Sequence, residues 1–336
     1  MRQASFPTLL FALCFAFISP AFAQLNQMPR KTLLEVREAC VEVLVNNRLR
    51  GGGAFIENDE GRNLVITAAH LFEARDAPSH ILTSDDRKHS ATLLAYDFGH
   101  DLALLEVESA KGYPSLPLAS DVPTETAPIF NFGPALRRRT LVISGNVADA
   151  RPSYTDFSPS DGYVEHFFVA GISPVLTSGG IWANANGEIV GIQHGRLLGD
   201  KGAPSSGLSI ASPPISIKRL LRRKKSAATP GIGGWVWEIW TADSELLKQV
   251  PQDTEGLVVT WIKEGGPLDT AGVKRLDIIL SCEGEKITRR NDFLHMIRSE
   301  IAGTSFELEI TSPGTDNSKR KVALKTNTLE SRWTQP

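Results

Sequence analysis

The chain of 336 residues holds only three cysteines, so a disulfide framework is excluded as the means of holding it together. Cys14 sits in an apolar N-terminal stretch, which leaves Cys40 and Cys282, distant in sequence, to act as two buried thiols of small hydrophobic character. An excess of charge of one sign is missing as well. Lys and Arg number 36 against 38 Asp and Glu, a net of −2, so no global field directs the chain to nucleic acid or to a membrane surface. Internal repeats and low-complexity tracts are absent, which excludes solenoid and fibrous architectures. His194 has no companion at metal-ligand spacing, and no metal, nucleotide or other cofactor is implied.

What is present is an ordinary globular balance, 41% hydrophobic and 22% charged, in a length that suits two domains plus extras. The first residues differ in kind. Arg2 supplies a positive start, residues 9–18 form an apolar run too short to span a bilayer, and Ala21-Phe22-Ala23 after Pro20 offers the small residues that a signal peptidase reads. Residues 1–23 therefore read as a signal peptide, cleaved before Gln24, and the mature chain as exported to a periplasmic or extracellular space. Leu13, bulky where a lipoprotein signal needs a small residue, argues against lipidation at Cys14.

Between residues 39 and 215 short β-type runs alternate with Gly, Pro, Asn and Asp. Runs at 41–45, 64–67, 102–107, 141–143 and 188–192 indicate an all-β sandwich or barrel, because a doubly wound sheet would need long helices between its strands. A helical signal precedes them at 31–38. The basic run 218–225, followed by Ser, Ala, Thr, Pro230 and Gly231, marks a linker over 218–230, which places a first domain at 24–217 and a second at 231–328. In the second, strands are expected at 235–239, 256–262, 278–282 and 306–311, a short helix at 267–271, and an amphipathic helix at 291–301 with Phe293, Leu294, Ile297 and Ile301 at helical spacing.

The chemistry is carried by three residues. A serine hydroxyl is a poor nucleophile until a base removes its proton, and that base must be held in one tautomer by a buried carboxylate. His70 follows an apolar run and would sit at a strand end facing a cleft, while Asp101 opens another, where a carboxylate can be buried and still reach an imidazole. Ser178 precedes Gly179 and Gly180, which let the backbone turn sharply and present the hydroxyl. Each residue alone is ordinary. In this order, inside one β-rich region, they make a candidate triad in the chain order of the chymotrypsin-like double barrel, unlike that of subtilisin or the α/β-hydrolases.

These residues sit in longer motifs. Gly51-Gly52-Gly53, the histidine segment 65–70, the aspartate segment 96–105, Ser144-Gly145-Asn146-Val147, Ile172-Ser173-Pro174, the stretch from Ser178 through 192, and 207–211 together resemble the trypsin-like domain of the HtrA (Deg) serine proteases. The second module resembles the PDZ domain that follows it in that family, through 256–259, Gly265-Gly266-Pro267, Ala271-Gly272-Val273 and Asp277-Ile278-Ile279. The resemblance implies a mainly β chain, a chymotrypsin-like double β-barrel followed by an α+β PDZ domain. It also implies an exported endopeptidase of protein quality control, with His70 as base, Asp101 as its orienter and Ser178 as nucleophile. Substrate, an unfolded polypeptide, would lie extended along Ile192, Gln193 and His194. Ile172 and Ile192 would wall a primary pocket with no acidic residue, suited to small or medium apolar side chains. A homotrimer is implied through the N-terminal part, although 24–38 is short and carries no aromatic clasp.

The sequence departs from the family pattern at two places. Leu176-Thr177-Ser178 stands where the family has Gly-Asn-Ser, with one extra residue after Pro174. The oxyanion hole, assigned here to Leu176, Thr177 and Ser178, would use the N–H two residues before the serine and the serine's own. Leucine resists the backbone conformation that glycine takes there, which predicts a rebuilt loop or one ordered only by substrate. In the second module Trp235, Val236 and Trp237 are the candidate contacts for a peptide C-terminus, yet Val236 and Leu276 replace expected glycines. These departures motivate a second reading, a catalytically weak protease-like scaffold that holds unfolded chains.

Overall fold

The computed structural model describes residues 27–329 apart from 59, 109–111, 138, 158–161, 198–206, 243, 250–252 and 315–317. The expected signal peptide and its cleavage point before Gln24 lie outside the described residues. Helix α1 (Arg30–Ala39) leads into β1 (Cys40–Val45), β2 (Arg48–Phe55), β3 (Leu64–Ala68), β4 (Ser79–Leu82), β5 (Lys88–Asp97) and β6 (Leu102–Val107). These six strands close into an antiparallel barrel of order β1-β2-β3-β6-β5-β4. A second barrel follows, formed by β7 (Pro128–Pro134), β8 (Thr140–Phe157), β9 (Gly162–Ala170), β10 (Ile181–Ala183), β11 (Ile189–Arg196) and β12 (Leu208–Ser212), in the order β10-β11-β12-β9-β8-β7.

The apolar runs are continuous because their strands are buried on both faces. Along β3, Val65 points into the first barrel with Val43, Ala103 and Leu105, whereas Leu64 and Ile66 point out, into a core between the barrels shared with Phe130, Phe132, Ile181 and Ile192. Alternation of period two divides one strand between two cores. Each such fully buried Leu or Ile contributes about 1.5–3 kcal/mol of burial.

Helix α2 (Pro214–Arg223) buries Ile217 and Leu220 in the inter-barrel core. The basic run is thus mostly a docked helix with its Lys and Arg outward, and the linker expected over 218–230 begins only after Arg223. Spacing of Ile217 and Leu220 at i, i+3 is the signal that the charges obscured. Even the remaining segment is tied down, since Ala227 N–H donates to the Tyr96 carbonyl and Thr229 Oγ1 to Asp97.

Beyond it, β13 (Pro230–Gly231) and β14 (Gly234–Glu238) precede α3 (Ser244–Leu247), β15 (Leu257–Ile262), α4 (Pro267–Thr270), β16 (Ile278–Cys282), β17 (Glu285–Lys286), α5 (Arg290–Ser299), β18 (Ser305–Thr311), β19 (Lys319–Lys325) and β20 (Asn327–Thr328). The sheet runs β14-β15-β16-β18-β19, with β14 at its edge, and β13 pairs with β20 to close the domain. Phe293, Leu294 and Ile297 of α5 fill its core, while Ile301 falls beyond the helix and is exposed. Cys40 and Cys282 are free and buried, and burial pushes the Cys282 thiol up to about 12.

Two features of the fold went unread in the sequence. β8 and β9 form a long hairpin, Asn146 pairing with Ala170 and Phe157 with Gly162. Its Tyr154 and Tyr163 are buried in the core of the second domain.

Candidate active site

Asp101 is presented by a turn that its own neighbours build. The Asp97 carboxylate accepts from Gly99 N–H at 3.0 Å and pairs with His100 Nδ1 at 2.8 Å, and Asp101 takes a left-handed backbone at φ 49. Held this way, Asp101 Oδ1 accepts from the His70 N–H at 2.8 Å and Oδ2 meets His70 Nδ1 at 2.6 Å. The two bonds fix the ring's orientation and put its proton on Nδ1, leaving Nε2 as the basic nitrogen. Burial by itself would raise the Asp101 carboxyl, but the His70 imidazole holds it well below the ordinary carboxylate range.

Ser178 lies in the loop between β9 and β10, against the glycine strand β2. Gly52 N–H donates to the Ser178 carbonyl at 2.8 Å, and a Cβ on Gly51 would strike that same carbonyl. Gly179, at φ 76, has the Gly52 carbonyl and Thr67 Oγ1 where its own Cβ would be. Glycine is required on both sides of this contact because two backbones meet there. The Ser178 hydroxyl donates to the His194 carbonyl at 3.1 Å.

Leu176 adopts φ 77, a left-handed conformation that glycine takes readily, and the leucine bears the strain. Among the described residues no protein acceptor takes the N–H of Leu176 or of Ser178. Thr177 is turned inward instead, with its N–H directed at the Pro174 carbonyl at 3.3 Å and its hydroxyl on the same oxygen at 2.8 Å. Of the three residues expected at the oxyanion hole, the middle one thus has its N–H committed within the loop.

The expected pocket walls separate. Ile172 is 61% exposed, whereas Ile192 is wholly buried in the inter-barrel core. Gln193 is likewise committed, its N–H and carbonyl joined to Gly180 and Gly179 and its side chain to Trp182 Nε1 at 2.6 Å and Ser173 Oγ at 3.0 Å. Ile192 pairs on both sides, with Ile181 and Ser212, so strand addition cannot begin there. The edge starts at His194 and runs through Gly195 and Arg196, which pair with β12 alone. Gly195 and Arg196 were missed in the sequence, because only the start of β10 at Ile181 and its antiparallel register against β11 reveal where the edge opens.

Edge strand β14 carries the candidate peptide contacts of the second domain. Val236 N–H donates to the Tyr163 hydroxyl at 2.7 Å, and that hydroxyl donates to the Val236 carbonyl at 2.9 Å. An added strand would use these same two groups. Arg290 lies over the Trp237 ring at 4.5 Å and over Tyr163 at 5.6 Å, and Trp235 stacks at a tilt on Trp261 at 5.1 Å. Val236 is thus covered by the barrel hairpin, and Trp237 is covered by Arg290.

A buried charged cluster ties this domain to the catalytic turn. His100 lies between Asp97 and Glu165, with Nε2 at 3.4 Å from Glu165 Oε2. Burial opposes its charge, but the two carboxylates outweigh burial and raise it to about 9. Asp97 and Glu165, which burial alone would raise, are held at about 2 chiefly by His100. Arg298 of α5 reaches this cluster and donates to the Tyr163 carbonyl.

Comparison with known proteins agrees with this architecture. A family model described as a trypsin-like peptidase domain matches residues 51–192, and one described as a PDZ domain matches 244–326. The Xenopus tropicalis protein named serine protease HTRA1 is 23% identical over 276 residues, covering 77% of this chain and 56% of its own length. A probable periplasmic serine endoprotease DegP-like of Ectopseudomonas mendocina is 27% identical over 285 residues, with coverage of 83% and 56%. The chain thus spans a little over half the length of these curated relatives. Among solved structures, an HtrA-type protease AlgW with a decapeptide superposes with a TM-score of 0.63 at 15% identity, covering 89% of this chain and 98% of that one. A serine endoprotease from Yersinia pestis gives 0.58 at 19% identity, with coverage of 90% and 100%; these likenesses establish the fold.

Proposed function

We propose that the chain, which carries a trypsin-like peptidase domain followed by a PDZ domain as in the HtrA (Deg) serine proteases, is an exported serine endopeptidase acting on unfolded or misfolded polypeptides. His70 Nε2 takes the proton of Ser178 as the hydroxyl attacks the scissile carbonyl, Asp101 holds the imidazolium that forms, and the N–H groups of Leu176 and Ser178 receive the oxyanion. The observation that carries this reading is the His70 ring fixed on Asp101 by two bonds, in a fold where the nucleophile loop leaves the N–H groups of Leu176 and Ser178 unclaimed among the described residues. Substrate pairs with the edge from His194 to Arg196. The exposed Ile172 and Val175 near the nucleophile favour small or medium apolar side chains. A peptide C-terminus enters the PDZ groove only when Tyr163 leaves Val236. Export is supported by the N-terminal leader and by relatives named periplasmic, and assembly as a homotrimer is tested by sedimentation.

Incubation of the mature protein with an unfolded casein-type substrate, beside Ser178→Ala, tests the activity. Cleavage confined to the wild type, with fluorophosphonate labelling of Ser178, is the expected result; equal cleavage and no labelling would sink it. The second reading, a weakly active scaffold for unfolded chains, is favoured by the Ser178 hydroxyl bonding to the His194 carbonyl at 3.1 Å. It predicts binding of the substrate without cleavage.

A further inference from the structure

We propose that His194 is a positioning residue of the catalytic site, a second imidazole on Asp101 that sets where the carboxylate and the nucleophile stand. The inference rests on the reading of His70, Asp101 and Ser178 as the catalytic set. Along β11, Gln193 pairs with Ala211 and Gly195 with Ile210, so His194 is the extra residue of a bulge. A bulge re-aims the residue it carries, and this one is buried at 1% exposure. His194 Nδ1 lies 3.4 Å from Asp101 Oδ2, the same oxygen that His70 Nδ1 meets at 2.6 Å.

The other ring nitrogen is anchored. Ser212 Oγ donates to the His100 carbonyl at 2.7 Å, and a carbonyl can only accept, so the serine proton is committed and His194 Nε2, at 2.9 Å, is the donor to Ser212. Through Ser212 the ring holds the carbonyl that precedes Asp101, whose left-handed backbone at φ 49 needs external support. Its own main-chain carbonyl accepts the Ser178 hydroxyl at 3.1 Å. One residue thus touches both ends of the catalytic set. None of these contacts follows from a strand-edge role alone.

The charged and titratable groups facing the ring are Asp101 and His70 across the cleft, His100 on the adjoining turn, and His166 of β9, whose ring centroid is 6.5 Å away. Burial, aided by His70 and His100 and opposed by Asp101, holds His194 below its ordinary value and so favours the neutral ring. A second proton would enter at Nδ1, donate to Asp101 Oδ2 and draw that oxygen from His70. The hold of Asp101 on the His70 ring therefore depends on His194 remaining neutral.

Full-length mature protein carrying His194→Ala or His194→Gln tests this. The rate of fluorophosphonate labelling of Ser178 is followed against pH, and the low-field proton resonance of His70 Nδ1–H is followed in a Ser178→Ala background. His194→Ala is expected to slow labelling at neutral pH by about tenfold to a hundredfold, the scale of a misplaced catalytic group. Its acid limb should fall with one proton where the wild type falls with two. His194→Gln, which can still donate to Ser212, should recover rate but keep the one-proton limb. An identical limb in wild type and both variants, or an unmoved His70 resonance, would overturn the proposal. If wild-type Ser178 does not label at all, the endopeptidase reading fails, and the resonance alone decides the role of His194.

Discussion

Leu176 keeps its backbone at φ 77, a conformation that costs a non-glycine residue on the order of 1–2 kcal/mol. Its neighbours hold it there: Leu136 N–H donates to the Val175 carbonyl, Thr177 N–H to Pro174, and Gly180 N–H to the Thr177 carbonyl. Replacement by glycine removes the strain and returns part of the gain through the larger entropy of the unfolded chain. Leu176→Gly is therefore expected to stabilise the protein by about 1 kcal/mol or less, read as a higher Tm, with labelling of Ser178 undiminished. A collapse of labelling would mean that the leucine side chain itself holds the loop. The sequence marks this position, because leucine stands where glycine is expected. It could not say whether the loop would move or the leucine would be forced, since bonds made by residues 136, 174 and 180 decide that.

At the scale of elements, the site is a meeting of β2, β11 and the nucleophile loop. Gly51 and Gly52 are legible as a glycine strand, and the close backbone approach explains them. Gly51→Ala places a methyl group on the Ser178 carbonyl, and a clash between backbones that cannot yield typically costs about 1–3 kcal/mol. Ser178 labelling should fall with it, whereas Gly61→Ala, in an open turn with nothing near its Cβ position, should leave labelling unchanged. The edge of β14 was read correctly as a strand, but not its cover, because the hairpin β8–β9 that supplies Tyr163 comes from the other domain. Tyr163→Phe removes both bonds to Val236, at about 1–3 kcal/mol if those groups stay buried. A peptide ending in an apolar residue should then bind more tightly than to the wild type, as read by fluorescence anisotropy. Equal affinity would show that Tyr163 does not gate the groove.

For the molecule as a whole, the cluster of Asp97, His100, Glu165 and Arg298 joins the two domains under the catalytic turn. His100 titrates at about 9 against an ordinary 6.5, so its contribution to stability is complete below about 6.5 and is lost as the pH rises through 9. Asp97 and Glu165, held at about 2, contribute above the ordinary carboxylate values and lose that contribution as the pH falls below them. Tm should consequently fall between about pH 7 and pH 9.5, and fall less in His100→Gln, by differential scanning calorimetry. A parallel decline in both proteins would remove His100 as the cause. An all-β first region, a second module and the candidates His70, Asp101 and Ser178 were legible in the chain, because strand periodicity, turn residues and short motifs are local and survive without tertiary context. Three-dimensional packing alone shows that His194 lies against Asp101, that Ile192 belongs to the core while the one-sided edge of β11 begins beyond it, and that Tyr163 bonds to Val236. Each of those depends on a bulge, on a strand end, or on segments from opposite parts of the chain meeting in a dry interior, where an unpaired polar group is costly and its partner is fixed by packing rather than by neighbours in sequence.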